Sequence, residues 1–327
     1  MTPRRAARPL SWRWFLIFAL LFCAQVLPRL TEDSPAGDEP IDIVNGLYDW
    51  RGDVATVDLH PPLAQALQAL PLWVLGLRPP AGAQAQEYVA RDLSFLFETH
   101  SKNWPTFFFF PRLVTCLFGL GIGFLLYRMS REESPAFMIC ALGFWAFDPA
   151  ILAFSGLAMA DVPMAFFFLL SVWFFHRSLE QGRGRLAGWA GLFGAMAVTC
   201  KFSAFFLLPV LACLEWAQWR EGRSAFRRMF QRWGWGLGAA LVWVILVYLP
   251  GTVVIPGHPW PLHFLFSDFQ LMPILMRHPD YFLGKLVSGG QLGYYPLAFV
   301  LKTPLSLLVF LALAFALAAA RKIQIPT

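Results

Sequence analysis

The chain has 327 residues, of which 57% are hydrophobic and only 14% are charged, and its mean hydropathy is +0.55. Soluble domains carry roughly a quarter charged residues, so this composition argues against a soluble protein and predicts several membrane spans. The net charge of +6 resides in short loops between apolar runs, which argues against nucleic-acid binding. The five Cys lie inside apolar runs, which argues against disulfides and a Cys-based metal site.

The first predicted element is the apolar run WRWFLIFALLFCAQVLP, which follows three arginines near the N-terminus. A signal peptide shares this pattern, but no small-x-small cleavage site precedes the acidic stretch that follows. We therefore predict an uncleaved anchor with a cytoplasmic N-terminus. Residues 29–104 form a predicted outside loop with 11 acidic and 5 basic residues. Two amphipathic stretches in this loop, 61–77 and 85–100, are predicted to be interfacial helices on the membrane.

Further apolar runs are predicted to span the membrane at about 105–127, 135–152, 161–176, 186–200, 202–218, 233–255 and 296–320. The runs are continuous, which favours helices over the alternating strands of a membrane β-barrel. Residues 256–295 become a second outside loop. The segments assigned to the inside hold 16 of the 26 Lys and Arg residues, as the positive-inside rule requires. The predicted fold is an all-α polytopic membrane protein, a single domain over 1–327, with about eight transmembrane helices.

Several charged side chains fall within or beside the predicted spans, where a charge costs about 2.5–3.5 kcal/mol at the bilayer centre. They are Arg112, Asp161, Lys201 and Lys302. Each has a simple structural explanation: Arg112 and Lys302 as snorkelling side chains, Asp161 as a helix cap, and Lys201 as a turn residue at the interface. However, the predicted topology places all of them at the outer face, and this coincidence favours a functional site.

An acidic stretch, AGDEPIDIVNGLYDW (36–50), also lies on the outer side, just after the first predicted span. Its polar residues recur at helical spacing, so a solvated helix face explains Asp42 and Asp49. Asp38 and Glu39 lie at the predicted helix start, where they either cap the helix or carry chemistry. The helix dipole stabilises negative charge there. We assign chemistry to Asp38 and Glu39 and leave the other acids as surface residues.

This distribution of charges suits a site for a lipid-linked phosphate. A lipid tail needs a groove between helices, and its phosphate needs Lys or Arg at headgroup depth, which Lys201 and Arg112 supply. An outer carboxylate accepts the proton of an incoming hydroxyl, and cations stabilise the charge that develops on the leaving phosphate. The sequence therefore predicts glycosyl transfer from a polyprenyl-phosphate sugar.

The order of motifs resembles the GT-C superfamily, specifically its branch of protein O-mannosyltransferases and lipid A aminoarabinose transferases. The segments that carry the resemblance are GDEP (37–40), LHPPLAQAL (59–67), TCKFSAFFLLP (199–209) and YFLGKLVSGGQLGYYPLAFVLKTPLSLL (281–308). They occur in the family's order and on the topologically correct side. The resemblance covers nearly the whole chain.

The resemblance implies roles for individual residues. Asp38 would be the general base toward the acceptor, and Glu39 would help to bind the acceptor or orient the site. Arg112 and Lys201 would bind the donor phosphate, with His60 near that phosphate. The reaction would invert the anomeric centre.

Two further residues, Asp161 and His278, would line the site. The resemblance implies no metal and no cofactor, because the lipid-linked sugar is a substrate. The expected partners are a polyprenyl-phosphate sugar donor, membrane lipid and a hydroxyl acceptor on a protein, a lipid or a polysaccharide, without nucleic acid. The expected location is a bacterial inner membrane, with the active site on the periplasmic or extracellular side.

Three alternatives stay open. Family members usually continue past the KTP span, so the C-terminus is expected to be shortened, which leaves room for an inactive or partial subunit. A transporter would also use intramembrane charges, but the midplane portions of the spans carry almost none and no inverted repeat is visible. A zinc site would need His258, His263 and His278, whose spacing matches no known ligand pattern.

Overall fold

The computed structural model describes residues 12–51, 60–79, 104–131, 134–222, 225–254, 280–287, 291 and 293–319. The helices are α1 (Arg13–Val26), α2 (Arg29–Glu32), α3 (Glu39–Arg51), α4 (Leu63–Val74), α5 (Trp104–Ser130), α6 (Pro135–Phe147), α7 (Pro149–Ser155), α8 (Asp161–Gln181), α9 (Gly184–Cys200), α10 (Leu207–Arg220), α11 (Phe226–Val254), α12 (Tyr294–Lys302) and α13 (Leu305–Ala319). A 3₁₀ turn, Phe202–Phe206, precedes α10, and β1 (Asp280–Phe282) pairs with β2 (Lys285–Val287) in a short antiparallel hairpin. The predicted all-α fold is confirmed.

The predicted count of about eight membrane spans is not confirmed by the described residues. Within the described ranges, 5 helices are long and apolar enough to cross a membrane, and the number rises to 7 if each of two bent helix pairs is one span. Helix α9 has 17 residues, at the short end of the length that crosses a bilayer. The membrane-spanning character of the chain is therefore confirmed, whereas a count of eight is not.

The predicted span over 135–152 is divided at Asp148. Helices α6 and α7 meet there at 53°. The Asp148 carboxylate accepts the N–H groups of Ala150 and Ile151, each at 2.9 Å, and Pro149 occupies the first turn of the new helix. The pair Asp-Pro is a strong helix start, so a second helix begins where the prediction had a continuous one.

The predicted span over 296–320 is divided as well. Helices α12 and α13 meet at 111°, with Pro304 directly before α13. Proline disfavours a helical conformation in the residue before it, here Thr303, which is extended. Lys302 is consequently the exposed last residue of α12 rather than a charge seven residues inside a span. This corrects the predicted position of Lys302.

The bundle is held by two sets of helix contacts. Helices α1, α5 and α6 pack around Phe22 and Trp145, whose rings stack with centroids 4.7 Å apart, and the Trp145 indole donates to the Gly119 carbonyl at 3.0 Å. Helix α9 packs against α8 and α11. A Cβ atom on Gly191 would lie 1.9 Å from the Gly236 carbonyl oxygen, so α9 and α11 cross with their backbones in contact.

Helices α3 and α4 form a compact pair that packs on α5 and α9. Helix α4 is apolar but only 12 residues long, too short to span a membrane. Its Gln68 side chain donates to Thr115 Oγ1 and to the Met159 carbonyl, both at 2.9 Å. These bonds attach α4 to the bundle, while its interfacial position stays a prediction. The second predicted interfacial helix, 85–100, lies outside the described residues.

The acidic face of α3 is covered rather than solvated. Asp42 is buried, and its carboxylate accepts a hydrogen bond of 3.0 Å from Gln65 of α4. Asn45 is buried as well, and Asp49 is half-buried. The prediction that Asp42 lies on a solvated face is therefore wrong, because α4 packs over the side of α3 that helical spacing alone marked as polar.

The crossing of α3 and α4 depends on Gly46. A Cβ atom at this position would lie 2.1 Å from the Gln65 carbonyl oxygen and 2.8 Å from Ala69 Cβ. Because backbone would have to move, we expect Gly46→Ala to lower the free energy of unfolding by about 1–3 kcal/mol, measured by denaturation in detergent micelles. Gly37→Ala is the matched control, since nothing lies within 4 Å of its added Cβ. Equal losses in both variants would contradict the close crossing.

Candidate active site

The predicted site residues gather at one end of the helix bundle. Helices α1 and α9 end there, and α5 and α8 begin there. Arg112 lies in the third turn of α5, Asp161 is the first residue of α8, and Lys201 directly follows α9. Asp38 immediately precedes α3 and is exposed. The separate chain positions of the charged residues therefore converge in space.

Glu39 and Arg112 form a buried, bidentate ion pair. Arg112 Nε donates to Glu39 Oε1 at 2.7 Å and Nη2 donates to Oε2 at 2.8 Å, while the two side chains are 1% and 0% exposed. Glu39 also accepts the N–H of Ala158 at 2.8 Å and that of Ala36 at 3.1 Å. One carboxylate thus joins the start of α3 to α5 and to the loop before α8.

Arg112 has further acceptors in the segment that follows α1. Its Nη1 donates to the carbonyls of Leu30 at 3.1 Å and Asp33 at 2.9 Å, and its Nη2 donates to that of Ser34 at 3.3 Å. Each of the three guanidinium nitrogens therefore donates a hydrogen bond to an oxygen atom of the protein. The family resemblance implied that Arg112 binds the donor phosphate, and that role stays a prediction; in this structure its guanidinium contacts Glu39 and backbone carbonyls.

Lys201 and Asp161 form a second ion pair, which is accessible. Lys201 Nζ lies 2.8 Å from Asp161 Oδ1, and their side chains are 26% and 34% exposed. Lys201 itself is in an extended conformation that ends α9. Two residues earlier, Thr199 Oγ1 accepts a 3.0 Å hydrogen bond from Trp243 of α11. This bond attaches the end of α9 to α11, next to the turn that carries Lys201.

The two ion pairs are connected through the loop before α8. Ala158, whose N–H binds Glu39, stands three residues before Asp161. His60 is half-buried beside the start of α4. Leu63, the first residue of that helix, belongs to a hydrophobic cluster that also contains Ala160 of the loop before α8 and Ala204 of the turn after α9. His278 lies outside the described residues. The structure therefore brings Glu39 and Arg112 together, and Asp161 and Lys201 together, and the loop from Ala158 to Asp161 links the two pairs.

An apolar cavity of about 230 Å³ extends along the bundle from the Lys201 turn. Val198 and Ala204, three residues to either side of Lys201, line it, and Arg232, buried in an ion pair with Glu215, lines its opposite end. Small residues of α9 leave the space open. Partly exposed apolar side chains also line it, namely Phe205, Leu208 and Leu237. The cavity is thus accessible from the apolar surface of the protein.

The sequence prediction missed the polar contacts that support the site. The stretch 61–77 was predicted only as an interfacial helix, yet its Gln65 and Gln68 are both buried and bind partners on α3 and α5. Their spacing of three residues within an apolar helix was the available signal, because it marks a polar stripe on one helix face. Polar side chains on such a stripe need hydrogen-bond partners when buried.

Membrane-spanning helices with a charged cluster at one end define the chain as an integral membrane protein. The model of the dolichyl-phosphate-mannose-protein mannosyltransferase family matches residues 54–258, and the chain belongs to this family. The family is part of the GT-C superfamily, so the resemblance inferred from the motifs is confirmed. Its members are membrane glycosyltransferases that use polyprenyl-phosphate sugar donors. Comparisons with curated proteins and with solved structures give no match.

The matched region contains only part of the predicted site. His60, Arg112, Asp161 and Lys201 lie within residues 54–258, whereas the Asp38–Glu39 pair precedes them. The connection between the two parts is therefore structural, through the bonds of Glu39 to Arg112 and to the Ala158 loop.

Proposed function

We propose that the chain transfers a sugar from a polyprenyl-phosphate donor to a hydroxyl acceptor on the outer side of the cell membrane, with inversion at the anomeric carbon. The observation that carries the proposal is that an exposed acid, Asp38, and an accessible cation, Lys201, lie at the same end of the helix bundle as one end of an apolar cavity. The buried Glu39–Arg112 pair holds the parts together. These are the features that a lipid-linked phosphate and a hydroxyl nucleophile require.

Asp38 is the general base. Its carboxylate is exposed at the N-terminus of α3, where the helix dipole stabilises negative charge. Glu39 is 0% exposed and already accepts bonds from Arg112 and two backbone N–H groups, so it has no access to an acceptor. Of the two roles that the family resemblance implies for Glu39, the orienting role fits these contacts.

Lys201 binds the donor phosphate, and the apolar cavity beside it receives part of the polyprenyl chain. In the free protein Asp161 holds the ammonium group in place. During transfer, the acceptor oxygen forms a bond to the anomeric carbon as the bond from that carbon to the phosphate oxygen breaks. The hydroxyl proton passes to Asp38, and polyprenyl phosphate leaves with its negative charge facing Lys201. His60, the half-buried residue before α4, assists at the phosphate in this proposal, as the family resemblance implies.

A direct assay tests this proposal. Purified protein is incubated with a polyprenyl-phosphate mannose carrying a radiolabelled sugar, together with a hydroxyl-bearing peptide, and labelled peptide is counted. Because charged hydrogen bonds contribute about 1.5–3 kcal/mol, Lys201→Met should raise the donor KM about 10- to 100-fold. Lys302→Met removes the charge of a more exposed lysine, at the end of α12, and should leave the KM unchanged. An unchanged KM in Lys201→Met would contradict the assigned donor site.

The acceptor class is read from the same assay. Because the family uses a protein acceptor, the proposed acceptor is a Ser or Thr hydroxyl in a polypeptide. Lipid and polysaccharide acceptors are supplied in parallel reactions, and mass spectrometry of surface glycans in cells that lack the gene identifies the natural product. Absence of transfer to every acceptor class, with donor bound normally, would instead indicate an inactive or partial subunit.

A further inference from the structure

A second groove, of about 930 Å³, runs between α9 and α11 on a different face of α9 from the first cavity. Its floor is formed by glycines, Gly188 of α9 and Gly234 and Gly238 of α11. Nothing lies within 4 Å of a Cβ atom added to Gly234 or Gly238. The groove is therefore open along its floor, and its residues take no part in the candidate active site.

The groove is polar at one end and apolar along the rest. Arg185 and Gln231 line the end at which both helices begin, and the remaining lining residues are apolar or glycine. Both side chains are exposed, and neither has a hydrogen-bond or ion-pair partner in the part of the chain that the structure describes. Because Lys201 directly follows the other end of α9, this polar end is opposite the candidate active site. A ligand that matches this pattern is an amphiphile.

The length of the groove corresponds to one leaflet of a bilayer. It extends along α11 from Gln231 to Val242, which is about 16 Å at 1.5 Å per residue. The apolar core of a bilayer is about 30 Å thick, so one leaflet contributes roughly half of that. Trp189 and Trp235 are both half-exposed and form the walls near the polar end, at the depth where tryptophan is common in membrane proteins. An acyl chain of a single phospholipid fits this length.

The charge at the polar end favours an anionic lipid. Three further arginines lie near Arg185. Arg183 stands directly before α9, and Arg227 and Arg228 lie in the first turn of α11. Basic pockets between transmembrane helices bind anionic lipid headgroups. A transmembrane helix of a second chain would also fit a glycine floor, but an apolar helix would leave Arg185 without a counter-charge. The groove is thus better matched to a phosphate.

We propose that this groove binds an anionic glycerophospholipid from the leaflet opposite the candidate active site. The lipid phosphate contacts Arg185 and Gln231, and one acyl chain lies along Gly188, Gly234 and Gly238. The site is separate from the proposed reaction, so it would bind lipid whether or not the chain transfers a sugar.

The test is native mass spectrometry of the protein in detergent with phosphatidylglycerol or phosphatidylcholine of identical acyl chains. Because one basic residue contributes about 1 kcal/mol to binding an anionic lipid, phosphatidylglycerol should be retained about fivefold more. Arg185→Gln should reduce this preference most, because Arg185 lines the groove and the neighbouring arginines do not. Arg183→Gln is the matched control and should reduce it less, since Arg183 is also an exposed arginine, two residues away, that does not line the groove. Equal retention of the two lipids by the unmodified protein would overturn the proposal.

A second variant examines the groove itself. Gly238→Leu fills the floor in a space that is empty of neighbours, so the protein should fold and retain neither lipid above background. If Gly238→Leu instead converts a dimer to a monomer without changing lipid retention, a helix of a second copy occupies the groove and the lipid proposal is wrong. Asp38→Asn, which removes the proposed base, should leave lipid retention unchanged. Lipid retention by Asp38→Asn therefore tests the lipid site in a protein that lacks the proposed base, independently of whether the proposed reaction takes place.

Discussion

Replacing Arg112 by Met is expected to lower the free energy of unfolding by about 3–5 kcal/mol, because it leaves the Glu39 carboxylate buried without its counter-charge. The change also removes the bonds that attach Leu30, Asp33 and Ser34 to α5. The loss is measured by denaturation in detergent micelles. Because the same contacts hold Asp38 in place, sugar transfer should fall with stability.

An exposed ion pair in the same region provides the control. Arg29 Nη2 lies 2.7 Å from Asp33 Oδ2, and the two side chains are 36% and 33% exposed. Surface pairs of this kind contribute about 0–1 kcal/mol, so Arg29→Gln should cost about 1 kcal/mol or less. If Arg29→Gln and Arg112→Met destabilise the protein equally, burial of the Glu39–Arg112 pair does not determine its contribution.

Replacing Asp38 by Asn is expected to lower kcat for sugar transfer by about 10²–10⁴-fold, the usual contribution of a general base. The amide has nearly the same shape as the carboxylate but does not accept the proton at neutral pH. Asp38 is exposed, so expression and stability should be preserved. Donor binding should be preserved too, since Lys201 and the apolar cavity are unchanged. The measurement is single-turnover transfer of a labelled sugar at saturating donor.

Two neighbouring acids define what that result means. Glu32→Gln changes an exposed acid of α2 and should leave the rate unchanged. Glu39→Gln should lower stability and rate together, because its carboxylate holds Arg112 and the Ala158 loop. A kcat for Asp38→Asn equal to that of the unmodified protein would show that the base lies elsewhere.

The helical membrane fold was predictable because continuous apolar runs and basic loops are direct records of a bilayer environment. The division of two runs was harder to see. The pair Asp148-Pro149 is a helix start in sequence, but hydropathy averaged over a span does not register one polar residue among many apolar ones. Pro304 has the same effect in the last run. Local capping chemistry therefore decided the geometry that hydropathy left undefined.

The site was predictable as a set of residues and not as a set of contacts. Charge placement alone identified Arg112 and Lys201, because charged residues at membrane depth are rare. Their partners depended on packing between distant segments: Glu39 stands 73 residues from Arg112, and Asp161 stands 40 from Lys201. Asp42 shows the same limit. Helical spacing identified the polar side of α3, but it could not show that α4, a separate element, packs over that side and buries Asp42.

The order of synthesis gives the Glu39–Arg112 pair a part in membrane assembly. Glu39 is made first, and Arg112 enters the bilayer later, within α5. An arginine at the centre of a span costs about 2.5–3.5 kcal/mol on insertion, and Arg112, in the third turn of α5, gains its counter-charge and carbonyl acceptors from the segment from Leu30 to Glu39. Docking of the first loop onto α5 therefore supplies the counter-charge that Arg112 needs after α5 has entered the bilayer.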